Sequence, residues 1–267
     1  MNWSDRGFIL GARAHGETSV ILEAMTREHG RHLGLVHGGR SRRFGALLQP
    51  GNTVALTWRA RLDEQMGTYV VEADEMRAAR LMASPLALTG LATLAAHLRL
   101  LAERDPHPDL SDAAEALLDR LDDEALAPAL FARFEVTLLA ELGFGLDLLS
   151  CAATGERIGL AYVSPRTGRA VGRVAGEAWQ SRLLRLPAFL ASETGEGEVE
   201  FVRQDIADAF RLTGHFLDRH VYEPRGATAP DERSRFIARA IAAQGVEPAK
   251  MPDQAFAADD SLRTDPA

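Results

Sequence analysis

The spacing of apolar residues along this chain changes from two to a mixture of three and four, and that switch confines it to a β-module followed by helices. Up to about residue 78, segments rich in strand formers, Gly7–Ala14, Thr18–Thr26, Arg31–His37, Thr53–Arg59 and Thr68–Ala73, are separated by Gly, Pro, Asn or Asp. Val20, Leu22 and Ala24 share one strand face, as do Val54, Leu56 and Trp58. Glu28-His29-Gly30 reads as a hairpin turn whose glycine takes positive φ. Short strands packed this closely predict a small closed barrel.

From about residue 84 the pattern is helical. Ser84 is placed to cap a helix with Pro85 at its first position, and Leu91, Leu94, Leu98 and Leu101 follow on one face. Asp105-Pro106-His107-Pro108 ends that helix. Ser111-Asp112 opens a second with Leu117, Leu118 and Leu121 inward, and a third from about Pro128 carries Phe131, Phe134 and Leu138 until Gly143 stops it. Residues 150–176 interrupt the helices: Ile158–Val163 and Arg169–Val174 flank Ser164-Pro165-Arg166-Thr167-Gly168 and predict a β-hairpin. Helical spacing resumes at Ile206, Phe210, Thr213 and Leu217, and again at Phe236, Ile237, Ala240 and Ile241. The expectation is an α+β chain of several modules: a barrel over 1–79, helices over 80–149 and 177–244, a hairpin insert over 150–176, and a disordered, mildly acidic tail over 245–267.

Charge points to what the β-module meets. The chain as a whole carries −8, yet residues 1–61 hold nine arginines against four acids. Three of those arginines fall in the run His37-Gly38-Gly39-Arg40-Ser41-Arg42-Arg43-Phe44-Gly45-Ala46-Leu47-Leu48-Gln49-Pro50-Gly51, a glycine-flanked basic loop of the kind that admits a polyanion close to the backbone. Arg40, Arg42 and Arg43 are the first candidates for phosphate contact, with Arg13, Arg27, Arg31 and Arg59 behind them. Phe44 is the candidate for stacking on a base, whereas Trp58 lies on the apolar side of its strand and belongs to the core.

Other chemistry lacks support. There is no G-x-x-x-x-G-K-S/T, H-E-x-x-H or G-x-S-x-G, and no strand-linked G-x-G-x-x-G. His15, His29, His32 and His37 come close together without cysteines or paired carboxylates, so they read as β-module residues and not as metal ligands. His215 and His220 are spaced five apart, which puts them off a common helical face and makes them surface or packing residues. Cys151 is the only cysteine, so no intrachain disulfide forms, and it reads as a small buried thiol. Acid pairs such as Asp122-Asp123 read as solvated. No cofactor, metal or enzymatic activity is expected. No apolar run reaches membrane-span length and the first residues do not read as a leader, so a cytoplasmic location is expected.

Four segments in order resemble one family. These are Gly38 to Pro50; Glu17-Thr18-Ser19 with Thr26-Arg27-Glu28-His29-Gly30; Phe134-Glu135 through Leu142-Gly143-Phe144 to Leu146, Leu149 and Cys151; and Tyr162 to Val171. Together they resemble RecO, the bacterial recombination mediators, over about residues 1–240. The resemblance implies an N-terminal OB-fold, in which residues 38–50 form a loop and a following strand, then a helical domain with a small insert. It implies binding and annealing of single-stranded DNA, contact with double-stranded DNA, partnership with RecR and with the acidic tail of single-strand-binding protein, and help in loading RecA, with a functional link to RecF. It implies a nucleoid-associated protein that needs no nucleotide cofactor. Some family members bind zinc in the insert through four cysteines; here Thr154 stands where the second would be and no later pair exists, so no zinc is expected. Two other readings stay open on the residues alone, a general single-strand nucleic-acid-binding protein and a duplex-DNA-binding regulator. A hydrolase using Cys151 is a third.

Overall fold

The computed structural model describes residues 1–62, 64–191, 199–244 and 248–251, and the alternating segments at its start are strands β1 (Asn2–His15), β2 (Ser19–Thr26), β3 (Gly30–Val36), β4 (Thr53–Arg59) and β5 (Thr68–Glu75). β1 begins five residues before the sequence pattern does. Asn2–Phe8 pair with β4 and Gly7–His15 with β2, so Gly7 and Phe8 face both partners, and a bulge interrupts the β2 pairing between Ile9 and Gly11. Strand order is β1-β2-β3-β5-β4, and the sheet closes through one parallel pair, Leu35 with Thr68. Following the ladder from Arg13 through Ile21, Leu35, Thr68 and Arg59 returns to β1 at Asn2, eleven residues before the start. So large a stagger on five strands means steeply tilted strands around an interior that side chains fill, the OB arrangement.

The interior holds Ile9, Val20, Leu22, Ala24, Val36, Val54, Leu56, Trp58, Tyr69 and Val71. The narrow barrel closes only because Gly34 leaves room for Tyr69: a Cβ on Gly34 would lie 2.3 Å from that ring. Phe8, Leu10 and Met25 are buried outside this cluster, so the outer face of the sheet is covered as well.

Helices α1 (Ala78–Met82), α2 (Pro85–Leu98) and α3 (Pro108–Arg120) follow. Ser84 Oγ accepts the Ala87 N–H at 3.2 Å, the cap that the sequence announces. α3 starts three residues earlier than Ser111: Pro108 is its first residue and Ser111 is buried in its first turn. The strands end at Glu75, but the compact unit they belong to runs from Met1 to Asp122 and includes residues 230–239.

One stripe of α3 accounts for that extent. Asp112, Glu115 and Asp119 recur at spacings of three and four, so one side of the helix presents them together, and Asp122 follows in the turn after it. Arg27 pairs with Asp112, Arg6 with Glu115, the buried Arg77 with Glu115 and Asp119, and Arg80 with Asp122. Asp122, expected to be solvated, is therefore an ion-pair partner.

The second unit comprises Asp123–Ala229 and the residues after Arg239. Helix α4 (Ala127–Glu141) ends before Gly143 at φ +86°, and packs on α7 (Arg203–Leu217) with Phe131, Phe134 and Leu138 meeting a face that buries Ile206, Phe210, Thr213 and Leu217. Between these helices the insert forms β6 (Leu160–Val163), β7 (Ala170–Gly172), a short helix α5 (Arg173–Gly176), a 3-10 turn over Glu177–Arg182 and β8 (Leu184–Arg185). Sheet order is β7-β6-β8, so the predicted hairpin is present but its strands are shorter, and the insert extends to Arg185 because a third strand joins β6. Helix α6 (Ala188–Ala191) and strand β9 (Val199–Phe201) precede α7, and helix α8 (Asp231–Ala243) follows it. The tail expected to be disordered begins otherwise: β10 (Ala249–Met251) pairs antiparallel with β9, while 245–247 and 252–267 lie outside the described residues. No described helix is long and apolar enough to cross a membrane.

Candidate nucleic-acid interface

Residues 37–52 form a chain of turns, not a loop followed by a strand. Gly38 takes φ +67°, then the Ser41 N–H donates to Gly38 O, the Phe44 N–H to Ser41 O and the Leu48 N–H to Phe44 O. Leu48 is buried in the barrel core, and Phe44 and Leu47 pack against it. Asn52 holds the end of the segment from within: its Nδ2 donates to Ala46 O at 2.9 Å and Leu47 O at 3.0 Å, and its Oδ1 accepts the Ala78 N–H at 2.8 Å. The basic turn is thus anchored to the barrel by apolar side chains and a buried amide, which presents its arginines without the entropy cost of ordering a loose loop. Asn52 was not legible as a site residue, because asparagine beside glycine reads simply as a turn.

Arg40 fixes the turn sideways. Its N–H donates to Thr18 O at 3.0 Å and its Nη1 to Gly16 O at 3.0 Å, so the basic turn lies against the hairpin joining β1 to β2. Arg13 is on β1 three residues before that hairpin. Arg13, Arg40, Arg42 and Arg43 are exposed and make no ion pair among the described residues. Arg43 lies over the Phe44 ring at 5.7 Å. Phe44 itself is half-buried, so part of the ring predicted for stacking serves the barrel. Arg59 is exposed beside the closing seam: it pairs with Thr68, which pairs with Leu35, placing it roughly 10 Å from the end of β3 that leads into the basic turn.

Two of the expected contacts are engaged elsewhere. Arg31 retains only 15% side-chain exposure; it pairs with Glu23 at 3.0 Å, donates to Leu101 O at 3.3 Å, and its backbone oxygen accepts the Arg104 N–H at 2.8 Å. Residues 101–104 therefore lie along β3 and cover it. Arg27 hydrogen bonds to Asp112 and Glu28, and those bonds push its guanidinium pKa further up while neutralising its charge. The arginine surplus of residues 1–61 thus divides. Arg6, Arg27 and Arg31 are matched by acids, and the residues around the basic turn are not.

The histidines are dispersed. His32 is buried, with its ring edge-on to Trp3 and Trp58, and its Nδ1 is 2.8 Å from Leu33 O; His29 stacks on Trp3 at 4.0 Å with Asp5 at 3.0 Å. His215 Nε2 meets Pro165 O at 3.0 Å, and His220 stacks on Phe144. Cys151 is buried beside Thr154, and hydrogen bonding from Thr154 and from the Gly172 N–H, 3.2 Å from Sγ, brings its thiol pKa down to about 7. The knuckle-like turn of Cys151-Ala152-Ala153-Thr154-Gly155 is kept, with Gly155 N–H on Cys151 O at 2.8 Å, but Thr154 Oγ1 bonds Glu156. One sulfur beside a neutral hydroxyl does not fit a tetrahedral zinc site. Among the described residues no group of three His, Cys, Asp or Glu side chains is placed to hold a metal ion.

Known proteins resemble the chain along most of its length. Residues 1–74 match the family model for the recombination protein O N terminal region, and residues 86–229 that for its C terminal region. A DNA repair protein RecO of Methylobacterium nodulans is 59% identical over 246 residues, covering 92% of this chain and 100% of the relative. Those of Methylorubrum extorquens (58%, covering 89% and 98%) and Mesorhizobium japonicum (59%, covering 89% and 93%) are similar to nearly the same extent.

Proposed function

The chain belongs to the RecO family of DNA repair and recombination proteins, and from that premise we propose that it is a non-enzymatic mediator that binds and anneals single-stranded DNA. The observation that carries the reading is the rigid basic turn. Arg40, Arg42 and Arg43, with Arg13 and Arg59 nearby, stand exposed on an OB barrel while Arg6, Arg27 and Arg31 of that barrel are paired with acids. Guanidinium groups fixed in this way bind phosphates by releasing counterions from them, which requires no cofactor and makes binding fall steeply with salt. Neutralising phosphates on two complementary strands lowers the repulsion that opposes their pairing. Double-stranded DNA, RecR, the acidic tail of single-strand-binding protein, and delivery to RecA with a link to RecF complete the mediator reading, as does a cytoplasmic, nucleoid-associated location. The family match through 86–229 supports it over a bare single-strand binder, which would need only the barrel.

Annealing of complementary strands coated with single-strand-binding protein tests the reading, with RecR present. The intact chain should accelerate annealing, and the Arg40, Arg42, Arg43→Ala variant should lose most of that acceleration while unfolding at the same temperature. An inactive intact chain would remove the function. A fully active variant would remove the site.

A further inference from the structure

The insert carries a second surface of the same chemistry, one that the charge of the N-terminal segment does not reveal. Residues 150–185 contain six arginines and two acids, within a chain whose net charge is −8. Arg169 is paired with Asp147 at 3.3 Å, whereas Arg173, Arg182 and Arg185 are exposed and make no ion pair among the described residues. The acids next along the chain, Glu193, Glu196 and Glu198, lie outside the described residues.

Two of these arginines lie over aromatic rings of the insert. Tyr162 of β6 is buried; Gly176 approaches it so closely that a Cβ there would lie 2.6 Å from the ring, and Arg185, its partner across β8, lies over it at 5.1 Å. The 3-10 turn Glu177–Arg182 leaves from the first contact and returns to the second. It projects Trp179, 57% exposed, with the Arg182 guanidinium over the indole at 5.7 Å. A large aromatic face held out to solvent by a tight turn, with unneutralised guanidinium groups beside it, is the pairing that single-stranded nucleic acid recognises, through base stacking and phosphate contact. The cation over the indole places a phosphate-binding group beside the stacking face, so a base and its own phosphate can be met together.

We infer that the turn 173–185 is a second contact for single-stranded nucleic acid, in which a base stacks on Trp179 and Arg173, Arg182 and Arg185 hold the adjoining phosphates. This rests on the mediator reading and extends it. The basic turn of the barrel and this turn belong to different compact units of one chain, so the protein has two places at which to hold strand segments.

The tryptophans make the test specific. Trp58 is fully buried and Trp3 is partly buried against His29, so quenching of intrinsic fluorescence by an added oligothymidylate reports mainly on Trp179. Titration of the full chain should quench this emission; Trp179→Phe should abolish the quench, and Trp179→Ala should weaken oligothymidylate binding by roughly fivefold to a hundredfold. An Arg173, Arg182, Arg185→Ala variant should also bind more weakly and with a shallower salt dependence, provided its circular dichroism and melting temperature match the parent. Unchanged affinity and unchanged quenching in such folded variants would overturn the second contact while leaving the barrel contact standing, since the latter is read from the Arg40, Arg42, Arg43→Ala variant. Loss of an acidic-peptide interaction with nucleic-acid binding intact would overturn it too and assign the turn to protein. No binding by the parent chain would remove both.

Discussion

Arg31 and Arg40 are nine residues apart on one barrel, carry the same charge and do opposite things. Arg31 is drawn into an ion pair with Glu23 and a bond to Leu101 O, and Arg40 is tied through one nitrogen to Gly16 O with no acid opposing it. Arg31→Ala should therefore lower the melting temperature while leaving the salt slope of DNA binding unchanged, because it leaves Glu23 without one of its partners and uncovers the 101–104 segment. The triple Arg40, Arg42, Arg43→Ala change should do the reverse, reducing the slope of log affinity against log salt by about 2 at constant melting temperature, since each single-strand phosphate contact contributes about 0.7. Salt titrations and thermal melts of the two variants separate these roles. Cys151 supplies a pH dependence. Its thiol has a folded pKa near 7 against the higher unfolded value, so the folded state binds fewer protons. The resulting stability is fully present above the unfolded value and is lost as pH falls through about 7. Thermal melts between pH 6 and 9 should show the parent gaining on Cys151→Ala as pH rises.

At the level of elements, α3 decides how the barrel is finished. Its acids at 112, 115 and 119, with Asp122 just beyond its last turn, hold Arg6, Arg27, Arg77 and Arg80. The consequential partner is Arg77, whose side chain is buried, so that losing one of its acids removes part of the compensation of a cation in a poorly solvated place. Glu115→Gln weakens the pairing of Arg6 and Arg77 at one stroke and changes the acceptor that Thr53 Oγ1 donates to, and should cost about 1–3 kcal/mol in a denaturant unfolding experiment. Ser84→Ala, which removes the cap of α2, should cost about 0.5–2 kcal/mol in the same measurement. The cap was legible because capping is local: serine, proline and the N–H of Ala87 lie within four residues. The acid stripe was not legible as a clamp, because its partners come from positions 38 to 109 residues earlier in the chain.

On the scale of the whole molecule, the packing of the barrel does not stop where its strands do. Its closure depends on a single parallel pair and on Gly34 yielding space to Tyr69, and its compact unit takes in α1–α3 and residues 230–239. Gly34→Ala should give a chain that retains helical signal but loses the near-ultraviolet signal of its packed barrel aromatics. A fragment ending at residue 79 should likewise fail to give a cooperative melt, because it exposes Phe8, Leu10 and Met25 and removes every α3 acid. Such a result would show that the boundary suggested by the end of the strands is not an energetic one.

What the sequence determined by itself was whatever depends on near neighbours: five alternating segments and their turns, the capped helix at Ser84, the hairpin around Ser164–Gly168, and the absence of a second cysteine for any zinc knuckle. The tertiary structure decided which of the many arginines are neutralised. Formal charge adds along a chain, but the field at a surface depends on which acids fold back against which cations, and that is set by contacts across the molecule. Only there do Arg27 and Arg31 leave the candidate surface, Arg40, Arg42 and Arg43 remain on it, and Arg182 and Arg185 come to lie over Trp179 and Tyr162.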